Sequence, residues 1–256
     1  MIKRNNYHSH TSRCNHAVGL DEDYVLSAIM NNFEIYGFSD HSPWPLHDNE
    51  NNNIRMKLEE LDDYISSVRQ LQEKYAGQIT ILLGLECEYF EDRMEWLRNL
   101  KKEKGLDYLV FGNHFHKYTN RESYIANVKS EDALKNYLDD SIKGLESGVY
   151  DVFAHPDIYM RNCGSFTPYA KEVAYQICLK AKECNVPLEF NMGGFRANLN
   201  YPCEDFFMVA SEVGNEVIIG GDYHHPLDMN DELLYHKALE LLMNLDCNII
   251  YKLDLK

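Results

Sequence analysis

A chain of 256 residues, 45% apolar and 26% charged, has enough apolar matter for a full core and is not disordered by composition. Its formal net charge of −16 argues against a nucleic-acid partner, since a phosphate backbone is gripped by clustered Lys and Arg, and suits a protein that gathers cations. Seven cysteines without a C-x-x-C pair, no apolar leader before Tyr7 and no apolar run of membrane length lead to an expectation of free thiols, no membrane partner and a cytoplasmic enzyme.

Short β-type runs alternate with stretches of helical period, and no Gly/Ser- or Pro-rich linker interrupts them, so residues 1–256 read as a single domain. The first run, 6–8, leads into His8-Ser9-His10, with His16 soon after and a helix predicted over 21–31. The second, 34–39, ends at Ser39-Asp40-His41; an Asn-rich piece at 49–53 reads as a loop, and a helix follows over 54–75. Gly84-Leu85-Glu86 closes the third, 79–87, ahead of a helix over 92–104. The fourth, 108–112, runs into Gly112-Asn113-His114, and Ser130 before Glu131 and Asp132 is a fitting cap for a helix over 130–146. Ala154-His155-Pro156 closes the fifth, 149–154, before a helix over 169–184. In the sixth, 188–191, one side chain of the pair Glu189 and Asn191 is expected to face inward, where a buried structural hydrogen bond is as good a reading as a substrate contact. A helix over 203–212 leads to the seventh run, 216–220, which ends in Gly221-Asp222-Tyr223-His224; a helix over 231–244 and a short run at 248–252 complete the chain. This many consecutive βα units favour an α/β barrel over an open sheet.

In a parallel barrel every strand opens its C-terminal end on the same face, so the ionisable residues at these ends would converge. Imidazole nitrogens and carboxylate oxygens are ligands that zinc, manganese and iron accept. The candidates are His8, His10, His16, His41, Glu86, His114, His155, Asp222 and His224, enough for two or three divalent ions. Any one histidine alone is more often a hydrogen-bonded core or surface residue. Seven of the eleven histidines beside strand ends is a different matter. His47, His116, His225 and His236 keep the ordinary reading, although His116 and His225 are near enough to touch a substrate.

Taken in order, these motifs resemble the PHP (polymerase and histidinol phosphatase) family of metal-dependent phosphoesterases, across essentially the whole chain. The opening His-x-His-Thr-x-x-Cys-x-His-Ala is similar to its histidinol-phosphate phosphatase branch in particular. The resemblance implies a distorted, TIM-like (β/α)7 barrel with a trinuclear metal site at the C-terminal strand ends. It implies that His8, His10, Glu86 and Asp222 hold one ion, Glu86 (bridging), His114 and His155 a second, and His16, His41 and His224 a third. Glu88 is a rival for the bridging role, and Cys14 is read as packing. Arg161 and Arg196 resemble phosphate-contacting arginines of the family; Arg13 and Lys117 are lesser candidates.

The implied reaction is hydrolysis of L-histidinol phosphate, a small-molecule phosphate ester of histidine biosynthesis. Divalent ions would act as Lewis acids, a bridging hydroxide would attack phosphorus, and a metal-bound water or Asp222 would protonate the leaving alkoxide. Two other readings stand beside it: a PHP phosphoesterase for another small monoester or a nucleotide, and a non-catalytic metal-binding module, which predicts degraded ligands.

Overall fold

Residues 4–45, 54–116, 124–127 and 130–255 are described by a computed structural model; the expected loop at 49–53, with His47 and Lys117, lies outside them. Eight parallel strands lie side by side in chain order: β1 (Arg4–Asn6), β2 (Phe33–Phe38), β3 (Thr80–Cys87), β4 (Tyr108–Phe111), β5 (Val152–Phe153), β6 (Leu188–Asn191), β7 (Glu216–Gly220) and β8 (Asn248–Ile249). Parallel neighbours need long crossovers, and helices supply them. These are α1 (Asp21–Met30), α2 (Leu61–Lys74), α3 (Met94–Lys104), α4 (Glu131–Glu146) and α5 (Pro168–Glu183), followed by the short α6 (Met192–Arg196), then α7 (Glu204–Val213) and α8 (Glu232–Asn244). Among the described residues no helix is long and apolar enough to cross a membrane.

The two-residue β8 explains why the barrel is distorted. It pairs with Glu216 and Val217 at the start of β7, so the far end of that strand is free to reach β1. There Ser9 and Tyr223 form a parallel bridge, and the His10 amide donates to the Tyr223 carbonyl at 2.9 Å. At the opposite end the tail fills the gap: the Asn5 side chain donates through Nδ2 to the Tyr251 carbonyl at 2.7 Å, and the Leu253 backbone amide to the Tyr7 hydroxyl at 3.2 Å. Seven strands thus close at the end that carries the histidines.

Alternation along each strand sorts the side chains. Leu83, Leu85 and Cys87 of β3 and Leu109 and Phe111 of β4 join the large apolar layer beneath the helices. Tyr108 and Val110 point the other way and form a small interior cluster with Tyr7, Ile35, Val152, Ile218 and Leu253. Tyr108 is fully buried, its hydroxyl 2.8 Å from the Tyr7 carbonyl and 3.0 Å from that of Phe38. Its ring lies against β3 where only glycine leaves room: a Cβ on Gly84 would stand 2.6 Å from Tyr108 Cε1.

Several boundaries differ from the sequence reading for local reasons. The first strand ends at Asn6, because beyond it His8 and His10 belong to a closing bridge and not to a ladder with β2. α2 begins at Leu61, after a 3-10 turn over Leu58–Glu60, and Arg55 ahead of that turn is fully buried. Pro168 at the first helical position and Thr167, which accepts from the Ala170 amide, start α5 ahead of the expected 169. Ser130 caps α4 as expected, accepting from Ala133.

Because Tyr108 fills the space that a methyl at residue 84 would take, Gly84→Ala should lower stability by about 1–3 kcal/mol. Urea unfolding of the two proteins measures this, and an unchanged midpoint would show that the ring is free to move aside.

Candidate metal centre

The strand ends bring all nine proposed ligands to one place. At its centre is Glu86, at the end of β3 and 1% exposed. Its Oε1 lies 2.9 Å from His155 Nε2, 3.3 Å from His114 Nε2 and 3.5 Å from His8 Nε2. Its Oε2 lies 2.9 Å from His41 Nδ1 and 3.7 Å from His10 Nε2. Asp222, just past β7, stands beside the same group, with Oδ1 3.2 Å from His10 Nε2, 3.4 Å from His224 Nδ1 and 3.6 Å from His8 Nε2. Ligand atoms of His8, His10 and Asp222, of His8, Glu86 and His155, and of His16, His41 and His224 form groups lying within 4.8 Å of one another.

Behind the imidazoles stands a layer of carboxylates. Glu189 Oε1 is 2.8 Å from His8 Nδ1, which turns the other ring nitrogen inward. Its Oε2 accepts from the His155 amide at 3.0 Å and from the Asn191 side chain at 2.9 Å, and Asn191 in turn donates to Asp222 at 3.2 Å. Both members of this pair therefore face inward, correcting the expectation that one would; residues two apart on a strand share a face. A Cβ at Gly220 would fall on the Glu189 carboxylate, so a bare backbone on β7 makes its room. Asp40 lies 3.5 Å from His10 Nδ1 and accepts from Thr11 and from the His41 amide. Glu88 stands 3.4 Å from His114 Nδ1, but its oxygens take two Arg55 nitrogens at 2.8 and 3.0 Å and the Trp44 indole at 2.7 Å. A carboxylate so engaged is a support for His114 and not a rival to Glu86.

Burial by itself favours the neutral form of an imidazole. It does so at His41 and His224, pushed down to about 3 with the charge of His10 adding to the effect, and it lowers His16 as well. At His10 and His114 the same desolvation is outweighed by neighbouring carboxylates, Asp222 and Asp40 for the first and Glu86 and Glu88 for the second, and both rise to about 9. Against their own burial, Glu86 and Asp222 are held well below the usual carboxylate range by the surrounding histidines. The cluster is thus an anionic centre that protons neutralise in part. Glu86 Oε2 and His224 Nε2 are also buried without a hydrogen-bond partner. Converging unpartnered lone pairs around two carboxylates fit two or three divalent cations.

Two of the residues are held in strained backbone. His155 has φ 31° and Asp222 φ 47°, left-handed values that cost a non-glycine residue about 1–3 kcal/mol. The hydrogen bond from the His155 amide to Glu189 holds the first in place.

A cavity of about 510 Å³ opens over the cluster, walled by Phe115, Tyr124, Ile158 and Tyr201, with Asn127 as a polar member. The candidate substrate residues divide around it. Arg161 stands behind the wall, Nη1 3.4 Å from the Tyr124 hydroxyl. Arg196 donates to the Gly221 carbonyl at 3.3 Å and pairs with Asp231 at 3.5 Å, beside the cavity but not in its lining. His116 is not brought to the cavity: its Nδ1 lies 2.6 Å from Asp140, in a separate cavity with Tyr89 and Lys143. Neither is His225, whose ring nitrogen accepts from the Leu227 amide at 3.0 Å to cap the turn Pro226–Met229. Arg13 is taken by Asp21 and Asp63. Sequence reading gave no part to Asp40 or to the aromatic wall; Asp40 sat in plain view beside His41, whereas Tyr124 and Tyr201 belong to connecting segments without a periodic signal.

Comparison with known proteins places this geometry. A family model described as PHP domain matches residues 6–193. The chain is 27% identical over 227 residues to a Deinococcus radiodurans protein named "Probable histidinol-phosphatase", covering 86% of this chain and 85% of that one. It is 25% identical to the histidinol-phosphatase of Bacillus subtilis, covering 90% and 96%. Among solved structures, histidinol phosphate phosphatase from Lactococcus lactis, complexed with zinc, L-histidinol and phosphate, superposes with a TM-score of 0.75 at 19% identity, over 98% of this chain and 99% of that one.

Replacing the charge behind His8 tests the outer layer. Glu189→Gln should weaken metal binding about 10–100-fold, read by competition with a chelator of known affinity; unchanged affinity would make Glu189 a packing residue only. Since His10 and His114 stand at about 9, they carry protons at neutral pH that a metal must displace. Metal affinity should therefore rise as pH is raised from about 7 toward 9, with protons released on loading, which calorimetry in buffers of different ionisation enthalpy measures.

Proposed function

The chain belongs to the PHP family and is a metal-dependent phosphoesterase; from that premise we propose that it is a phosphatase that hydrolyses L-histidinol phosphate to L-histidinol and phosphate. The observation that carries the proposal is the convergence of six imidazoles and two carboxylates in the lining of one cavity with a mainly aromatic and apolar wall, with the His8 ring buried behind them against Glu86. In support, relatives named as histidinol-phosphatases match along most of their own length, and the Lactococcus lactis protein of the same fold was captured with L-histidinol and phosphate.

In this reading His8, His10, Glu86 and Asp222 hold one ion, Glu86, His114 and His155 a second, and His16, His41 and His224 a third. When bound, such ions supply Lewis-acid charge for the phosphate oxygens and acidify water for in-line attack. The protein's part is to keep the donors in place and in the right charge state. Glu189, Asp40 and Glu88 orient His8, His10 and His114 from behind. Glu86 and Asp222 are held anionic by the surrounding histidines, which suits ligation. Tyr124 and Tyr201, on the cavity wall, offer flat faces for the imidazole ring of the substrate. Arg161, one hydroxyl away, is placed to meet a phosphate that displaces its contact with Tyr124.

Initial rates on L-histidinol phosphate should exceed those on sugar phosphates and nucleotides by about a hundredfold; a comparable preference for another ester would overturn the substrate. Joint replacement Glu86→Gln and Asp222→Asn should bring turnover to background, and retained turnover would remove both residues from the reaction. Arg161→Ala should raise KM about tenfold with a smaller change in kcat, and a KM that stays put would assign that arginine to the wall alone.

A further inference from the structure

One member of the opening loop is left over once the imidazoles are placed. Cys14 ends the 3-10 turn Ser12–Cys14, is fully buried, and lies in a ligand group with His10 and His224, the three donor atoms within 4.8 Å of one another. His10 is 1% exposed, with its Nδ1 3.5 Å from Asp40, and His224 Nε2 is buried without a hydrogen-bond partner. The turn is anchored at both ends of the cysteine: the Cys14 amide donates to the Thr11 carbonyl at 3.1 Å, and the Cys14 carbonyl stands 2.7 Å from His16 Nδ1. No other cysteine among the described residues belongs to such a group.

From this placement we propose that Cys14, His10 and His224 form a sulfur-and-nitrogen metal position that favours soft divalent ions such as zinc, cobalt and cadmium over manganese. Thiolate is a soft ligand and manganese prefers oxygen, so one sulfur is enough to bias the choice. As the sulfur–metal bond forms the S–H bond breaks, its proton goes to solvent, and no electron changes hands. The position shares His10 with the first group of ligands and His224 with the third. A soft ion seated on Cys14 therefore competes with ions held by imidazole and carboxylate alone, and the loop discriminates among metals whatever the substrate.

Cobalt gives a readout independent of turnover. The full chain, stripped with a chelator and reloaded with Co2+, should show visible d–d bands together with a near-ultraviolet thiolate-to-cobalt charge-transfer band. In Cys14→Ser and Cys14→Ala the charge-transfer band should be lost and the d–d bands kept. In the same variants the preference for zinc over manganese, measured by competition at equilibrium, should fall about tenfold or more. A wild-type protein with d–d bands and no charge-transfer band would overturn the proposal. So would a band that survives both variants, since another thiol would then supply it, or loss of both kinds of band in both variants, since the cysteine would then serve the loop and not one metal position.

Discussion

Everything at the open end of this barrel is arranged around a buried carboxylate. Glu86 has almost no access to water, and a charge in that position is tolerated only if others neutralise it. Five imidazoles approach its two oxygens within 3.7 Å, drawn from the ends of β1, β2, β4 and β5. Those strands must keep their register, because a slip of one residue would turn a ligand to the outer face. The polar interior is thus paid for by the apolar layer outside it, which holds the strands that carry the ligands. Asp222 repeats the arrangement on a smaller scale at the end of β7.

Closure follows from the same requirement. His8 and His10 lie past the end of β1, and Asp222 and His224 past the end of β7, so the two segments have to meet. The Ser9–Tyr223 bridge joins them, and the amide of His10 is tied to Tyr223 within it. A full-length eighth strand would have separated them; a two-residue one, low on β7, does not. Left-handed backbone at His155 and Asp222 shows the cost of turning side chains inward at strand ends, and in both cases buried hydrogen-bond partners surround the strained residue.

What could be read from the sequence is what repeats. Alternating runs and helical period located the eight strands, and β6 and β7 fall where the patterns put them, since their four or five residues are bounded on both sides by other signals. Histidines at strand ends converge because parallel strands in a barrel all end on one face. The second layer was harder: Glu189, Asp40 and Glu88 are ordinary carboxylates in sequence, and only the packed structure shows which ring each one backs. Glu88 is the instructive case. It shares a strand face with Glu86, but its carboxylate is paired with Arg55, a buried side chain thirty-three residues earlier. The substrate side was hardest, because proximity in sequence to a ligand says little about direction. His116 and His225 lie two residues and one residue beyond His114 and His224, yet one pairs with α4 and the other caps a turn.

The loop after β1 carries this point to its limit, since three histidines within nine positions serve different parts of the centre. His8 and His10 face Glu86 and Asp222 together, with their Nε2 atoms 3.2 Å apart. After His10 the chain makes a 3-10 turn and passes through Asn15 at φ 67°, a left-handed residue that reverses its direction. His16 is thereby brought back over the cluster, its ring centre 4.7 Å from that of His224 and 5.4 Å from that of His41, but 6.1 Å from that of His10. Asparagine is among the few residues that enter this conformation readily, so Asn15 is as much a part of the site as the histidine it turns. A spacing that looked like simple crowding is a reversal: without it the third imidazole would continue away from the barrel, and the outer group of ligands would lose the member that ties it to the first strand.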